Sequence, residues 1–191
     1  MKKSLIAAAA ALAASGALAG VGRNVASLER AEAHGHYTVE CRGADGQLKW
    51  SDDIDNLVTT QGKNDALDKY LSGAGYTAAW YLGLISITGY TTGPAVGDTP
   101  AAHGGWAEDT NYSQGTRPAA AFAAASAGAK ALSSAAVFSI NASTTIKGCF
   151  LTTLSTKGGT TLILYSAGLF TGGDKVVQNG DTLNVSYSAS L

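Results

Sequence analysis

The clearest alternation of apolar and polar positions begins at Gly35-His36-Tyr37-Thr38-Val39-Glu40-Cys41-Arg42, where Tyr37, Val39 and Cys41 fall on one side of an extended chain. Side chains of a strand point to its two faces in turn, so this spacing predicts a half-buried strand. Ala44-Asp45-Gly46 and then Leu48-Lys49-Trp50 follow. Asp-Gly between two such runs predicts a hairpin, because glycine accepts the positive φ of a tight turn. A short strand around 56–60 would continue it. Over 62–71 the period lengthens: Ala66, Leu67, Tyr70 and Leu71 share one face, Asp65 and Lys69 stand four apart, and Gly73 is placed as a terminator. One short helix at about 62–72 is expected, the only substantial helix of the body.

Residues 76–85, Tyr-Thr-Ala-Ala-Trp-Tyr-Leu-Gly-Leu-Ile, return to strand chemistry. A run apolar on both faces predicts a central strand, with Trp80 in the core. Residues 88–116 are broken by Gly93-Pro94, Gly97-Asp98, Pro100 and Gly104-Gly105 and read as a long loop. Loops of that length are uncommon unless they function or are held, and Trp106 within it is free to be core or contact. Further strands are expected near 118–125, 135–141, 144–154, 161–169 and 182–188. About seven to nine strands with a single helix predict an all-β fold, an antiparallel β-sandwich or jelly-roll-like body over 34–191.

Composition sharpens this picture. The chain has 191 residues and only 14% charged side chains, where about 25% is usual. Fourteen of the charges lie between Glu29 and Lys69, and only 10 from Tyr70 to the end. A soluble monomer wants more surface charge than that body offers, so its surface suits a protein covered by neighbours. The net charge of −1 gives no electrostatic case for nucleic acid, which calls for clustered Lys and Arg.

Residues 1–33 form a separate Ala-rich arm, helical or extended. Lys2 and Lys3, an uncharged stretch and Ala17-Leu18-Ala19 before Gly20 fit a secretory signal with its cleavage site. Leu18, Val21, Val25 and Leu28, spaced 3, 4 and 3, instead make a helical seam that runs past the cut, as a retained arm docking on a partner would. The uncharged run at 4–22, mostly Ala and Gly, is barely long enough to span a bilayer, and no membrane segment is expected.

Candidate chemistry is sparse. The chain lacks a Gly-x-Ser-x-Gly elbow, a phosphate-binding Gly-Lys-Ser/Thr loop and a His-Glu-x-x-His pair. His34 and His36 would share a strand face and, with His103, contain the donors of a divalent-metal site, but no carboxylate spacing supports one. Asp52, Asp53, Asp55 and Asn56 carry calcium-type oxygens without the glycine and terminal glutamate of a helix-loop-helix site. Three histidines with no local signature make a Ser/His/Asp triad improbable on sequence grounds. Trp50, Trp80, Trp106 and eight tyrosines supply material for a sugar-binding platform. Cys41 and Cys149 permit one disulfide and decide no compartment. No catalytic residue, cofactor or metal is assigned, and the expected partner contacts are Leu18, Val21, Val25, Leu28 and Trp106.

A resemblance adds to this reading. His34-Gly35-His36-Tyr37-Thr38-Val39-Glu40-Cys41, Leu48-Lys49-Trp50, Asn56-Leu57-Val58-Thr59-Thr60, Ala102-His103-Gly104-Gly105-Trp106, Phe138-Ser139-Ile140-Asn141-Ala142 and Gly180-Asp181-Thr182-Leu183-Asn184-Val185 resemble a group of small structural proteins of tailed bacteriophages. The likeness covers roughly 34–191 and excludes the arm. It implies a virion component made in the host cytoplasm, with no catalytic residues and with both cysteines free at synthesis. Three roles follow as expectations. The first is a capsid decoration or cement protein, a homo-oligomer whose partner is the major capsid protein. The second is a tail adaptor or short receptor-binding appendage that meets tail proteins through the 88–116 loop. The third, which rests on the Ala17-Leu18-Ala19 site and the aromatic loop and not on the resemblance, is an exported bacterial adhesin or lectin-like protein, secreted or periplasmic, with a cleaved signal.

Overall fold

The computed structural model describes residues 32–73, 75 and 79–191. The seam of Leu18, Val21, Val25 and Leu28 lies outside them. Among the described residues the strands are β1 (His34–Arg42), β2 (Leu48–Val58), β3 (Tyr81–Ser86), β4 (Glu108–Asp109), β5 (Ala129–Ala131), β6 (Ala136–Ser139), β7 (Thr144–Thr152), β8 (Leu164–Leu169), β9 (Lys175–Val177) and β10 (Thr182–Ser190), with a single helix, α1 (Thr60–Leu71). Every strand pair is antiparallel. The described body is all-β and sandwich-like.

Two sheets share β2. In the first, β1 lies between β2 and β10, and β10 also pairs with β5 and β6. In the second, β7 pairs with β3, β8 and β9, β4 adds to β3, and Leu57 and Val58 of β2 join β8. The expected alternation decides the register. Tyr37, Val39 and Cys41 stand opposite Tyr187, Val185 and Leu183, all buried, and Ile54 stands opposite Tyr37. These side chains meet Leu82, Leu84, Ile146, Cys149 and Leu151 of the second sheet in the main core.

Several boundaries differ from expectation for local reasons. The 56–60 strand is the end of a continuous β2, and it stops because the Thr59 hydroxyl accepts the Gly62 N–H and caps α1. Residues 118–125 carry only isolated bridges at Ala119 and Phe122, since a run of alanines buries little area to reward continuous pairing. Of the 76–85 run, the described residues from 79 onward form a strand starting at Tyr81, and it sits next to the two-residue β4 rather than at the sheet centre. Its two-faced apolarity has another cause. Leu82 and Leu84 face the main core, while Ile85 joins Trp106, Phe150, Leu164 and Ala167 in a second cluster, to which Trp106 is contributed by the long loop.

Candidate functional site

The 88–116 loop is held by carboxylates rather than left free. The Trp106 indole N–H donates to Asp98 at 2.8 Å and the Ala95 N–H to the same oxygen at 2.9 Å. Asp109 accepts from the Ser86 and Thr144 hydroxyls and from the Asn111 N–H. Glu108 and Arg117 meet fork to fork at 2.9 and 2.8 Å, with side chains 7% and 4% exposed. Arg117 also donates to the Leu154 carbonyl and lies over the Phe150 ring. Trp106, expected to be core or contact, is 5% exposed, with its ring 4.2 Å from His103 and 5.5 Å from Phe150. With His103, Glu108, Arg117 and Phe150 it lines a cavity of about 310 Å³.

The buried ion pair is a feature sequence reasoning missed, although a signal existed. Of the few charged residues beyond Tyr70, Asp98, Asp109, Arg117 and Asp181 are buried. Each is bonded inside the body, which leaves the outer surface still poorer in charge. A charge retained in an otherwise uncharged stretch points to an internal partner.

The histidine and acidic clusters separate on folding. His34 and His36 do share a face of β1, but the His36 ring nitrogens lie 3.1 Å from Asp53 and 3.2 Å from Asp55 across β2, while His103 stacks on Trp106. Strand alternation turns Asp52 to the opposite side from Asp53 and Asp55. There it accepts from the Thr171 hydroxyl and the Gly172 N–H in the turn after β8 and from Lys175, the first residue of β9. Burial opposes its charge, yet the bonds from Lys175, Thr171 and the Asp53 and Gly172 N–H groups outweigh that and hold its pKa down at about 2. Among the described residues no three His, Cys, Asp or Glu side chains converge as metal donors.

Both cysteines are buried and unpaired. Burial and the neighbouring Asp181 carboxylate push the Cys41 thiol up to about 12, and burial alone pushes Cys149 up. Neither is the activated thiolate of a nucleophile.

The most unusual surface belongs to α1. Its N-terminus is fastened to β8 by polar bonds: the Thr59 N–H and hydroxyl donate to Tyr165 and Leu164 carbonyls, and Gln61 bonds Leu162 and Leu164. Gly62, the helix's buried residue, rests on the Tyr165 backbone. The face turned inward therefore carries Gly62, Asp65 and Lys69, the last two joined at 2.8 Å. The face with Leu67, Tyr70 and Leu71 points to solvent, at 55%, 87% and 72% exposure. Beneath the helix lies a cleft of about 410 Å³ lined by Tyr70, Trp80, Phe122, Lys130, Tyr165 and Tyr187, so that Tyr70 belongs both to the exposed face and to the cleft wall. Trp80, expected in the core, packs on it only in part and walls this cleft. No family model matches the chain, and no curated protein matches it.

Proposed function

We propose that this chain is a non-enzymatic structural subunit of a tailed-bacteriophage particle, a decoration or cement protein bound to the head shell. The observation that carries the reading is the outward apolar stripe of α1, Leu67, Tyr70 and Leu71, on a body that has few charges beyond Tyr70, among which Asp98, Asp109, Arg117 and Asp181 are buried. Contiguous apolar surface of this kind marks a site of association. The resemblance over roughly 34–191 supplies the class of particle, and the seam of Leu18, Val21, Val25 and Leu28 supplies a second contact, an arm laid along a neighbouring subunit. The expected partners are the major capsid protein and further copies of this chain. Many copies with a modest interface each add stability to a shell by avidity, with no need for a deep pocket.

A tail adaptor or receptor-binding appendage is the second reading, favoured by the aromatic cleft beneath α1. Copy number on purified particles separates the two: on the order of hundreds means shell avidity, whereas about six or twelve means a ring-symmetric tail. Chains truncated of residues 1–33, and the double variant L67S/L71S, which leaves the cleft-lining Tyr70 in place, are expected to fold normally and to lose attachment. Full occupancy by both would overturn the assembly reading. Absence from particles, with a mature chain beginning at Gly20, would establish export instead.

A further inference from the structure

The cleft beneath α1 is walled by two edge-on aromatic pairs. Trp80 meets Tyr165 with ring centroids 5.3 Å apart at 78°, and Phe122 meets Tyr187 at 6.1 Å and 84°. The rings come from four separate stretches of chain, so each is oriented by a different piece of backbone. A volume of about 410 Å³ falls within the roughly 300–1,000 Å³ of small-molecule sites.

Charge narrows the class of occupant. Three charged side chains line the cleft: Asp65, Lys69 and Lys130. Asp65 and Lys69 neutralise each other. Lys130 donates to the Ala123 carbonyl at 2.7 Å, and among the described residues no carboxylate lies within ion-pair distance of it. The site thus offers aromatic surface, a paired carboxylate and ammonium for hydroxyl groups, and one uncompensated positive charge. A wholly apolar guest would strip water from those charges without replacing it. A bare inorganic anion would leave the rings unused.

We propose that this cleft binds an acidic sugar, a pyranose carrying a carboxylate. Its C–H face packs on Trp80, Phe122 and Tyr165, because a sugar ring is apolar over its axial hydrogens and polar at its edge, matching an aromatic wall with a charged rim. Its carboxylate pairs with Lys130, a charge-assisted contact, and its hydroxyls bond the Asp65–Lys69 pair. The site does not depend on the particle reading, since attachment and sugar binding are measured separately.

The full chain is titrated with digalacturonic acid and with N-acetylneuraminic acid, and with galactobiose and maltose as neutral controls, by calorimetry and tryptophan fluorescence. Saturable binding of at least one acidic sugar is expected, at least about tenfold tighter than either control and weakening with salt. Lys130→Glu should abolish that preference without moving the thermal midpoint, and Phe122→Ala should remove binding. If Phe122→Ala fails to fold, Lys130→Glu carries the test. No saturable binding of either acid, equal binding of the neutral sugars, or an acid preference that survives in Lys130→Glu overturns the proposal. So does uptake of a neutral apolar dye in the absence of any sugar binding, which would mark the cleft as a socket for a protein side chain.

Discussion

Gly62 rests on the backbone of Tyr165 so closely that a β-carbon there would fall 2.5 Å from the Tyr165 carbonyl oxygen. The contact is with main chain, which cannot rotate away. Gly62→Ala should therefore destabilise the body by about 1–3 kcal/mol of overpacking, against about 1 kcal/mol gained in helix propensity. Urea unfolding checks the sign, and a variant more stable than the parent would show that α1 is free to shift.

Glu108 and Arg117 form a buried ion pair, and breaking it from one side leaves a charge without its partner. Glu108→Ala is expected to cost about 3–5 kcal/mol, whereas the double variant E108A/R117M should cost less than the two single changes together. A double-mutant cycle in denaturant measures the coupling. The variants should also loosen the 88–116 loop, visible as faster amide exchange at Trp106 and Ala107.

Asp52 and Asp181 both titrate below an ordinary aspartate. For Asp181 burial again works against the charge, and the Lys49 ammonium and the Gln178 N–H prevail. A carboxyl depressed in the folded state contributes stability that is present above its unfolded pKa of about 3.9. That stability is lost as pH falls through the folded value, about 2 for Asp52. Stability should therefore drop between about pH 4 and pH 2, and Asp52→Asn should flatten that slope while lowering stability at neutral pH. Thermal unfolding across the pH range checks both effects.

Cys41 and Cys149 lie fully buried, with thiols pushed up in pKa. A thiol-specific reagent at neutral pH is expected to label neither in the native chain and both after unfolding, because only an accessible thiolate reacts. Labelling of Cys41 at the rate of an exposed thiol would mean that the end of β1 near Asp181 opens freely.

Much of the architecture was legible in the amino-acid order. Tyr37, Val39 and Cys41 alternate, and they pair in register with Tyr187, Val185 and Leu183; Asp45-Gly46 makes the hairpin between β1 and β2, with Gly46 at φ 78°. The short strands β4, β5 and β9 were not legible, because two or three residues carry no period and pair only where a neighbour is offered. The Glu108–Arg117 contact and the Asp98 clip on Trp106 left only a partial signal, a charge kept in an otherwise uncharged stretch. Nothing local tells such a residue which group, nine positions away in the case of Glu108, will be its partner.

The helix shows where the division falls. Spacing alone predicted a helix at about 62–72 with Ala66, Leu67, Tyr70 and Leu71 on one face, since periodicity is a property of neighbouring residues; the structure starts it at Thr60. Which face looks inward came from outside the segment: the Leu164 and Tyr165 backbone groups bind Thr59 and Gln61, and the closeness of Gly62 to β8 turns the polar side in. Hydrogen bonds to a strand a hundred residues away set that orientation, and no pattern within twelve residues encodes their direction.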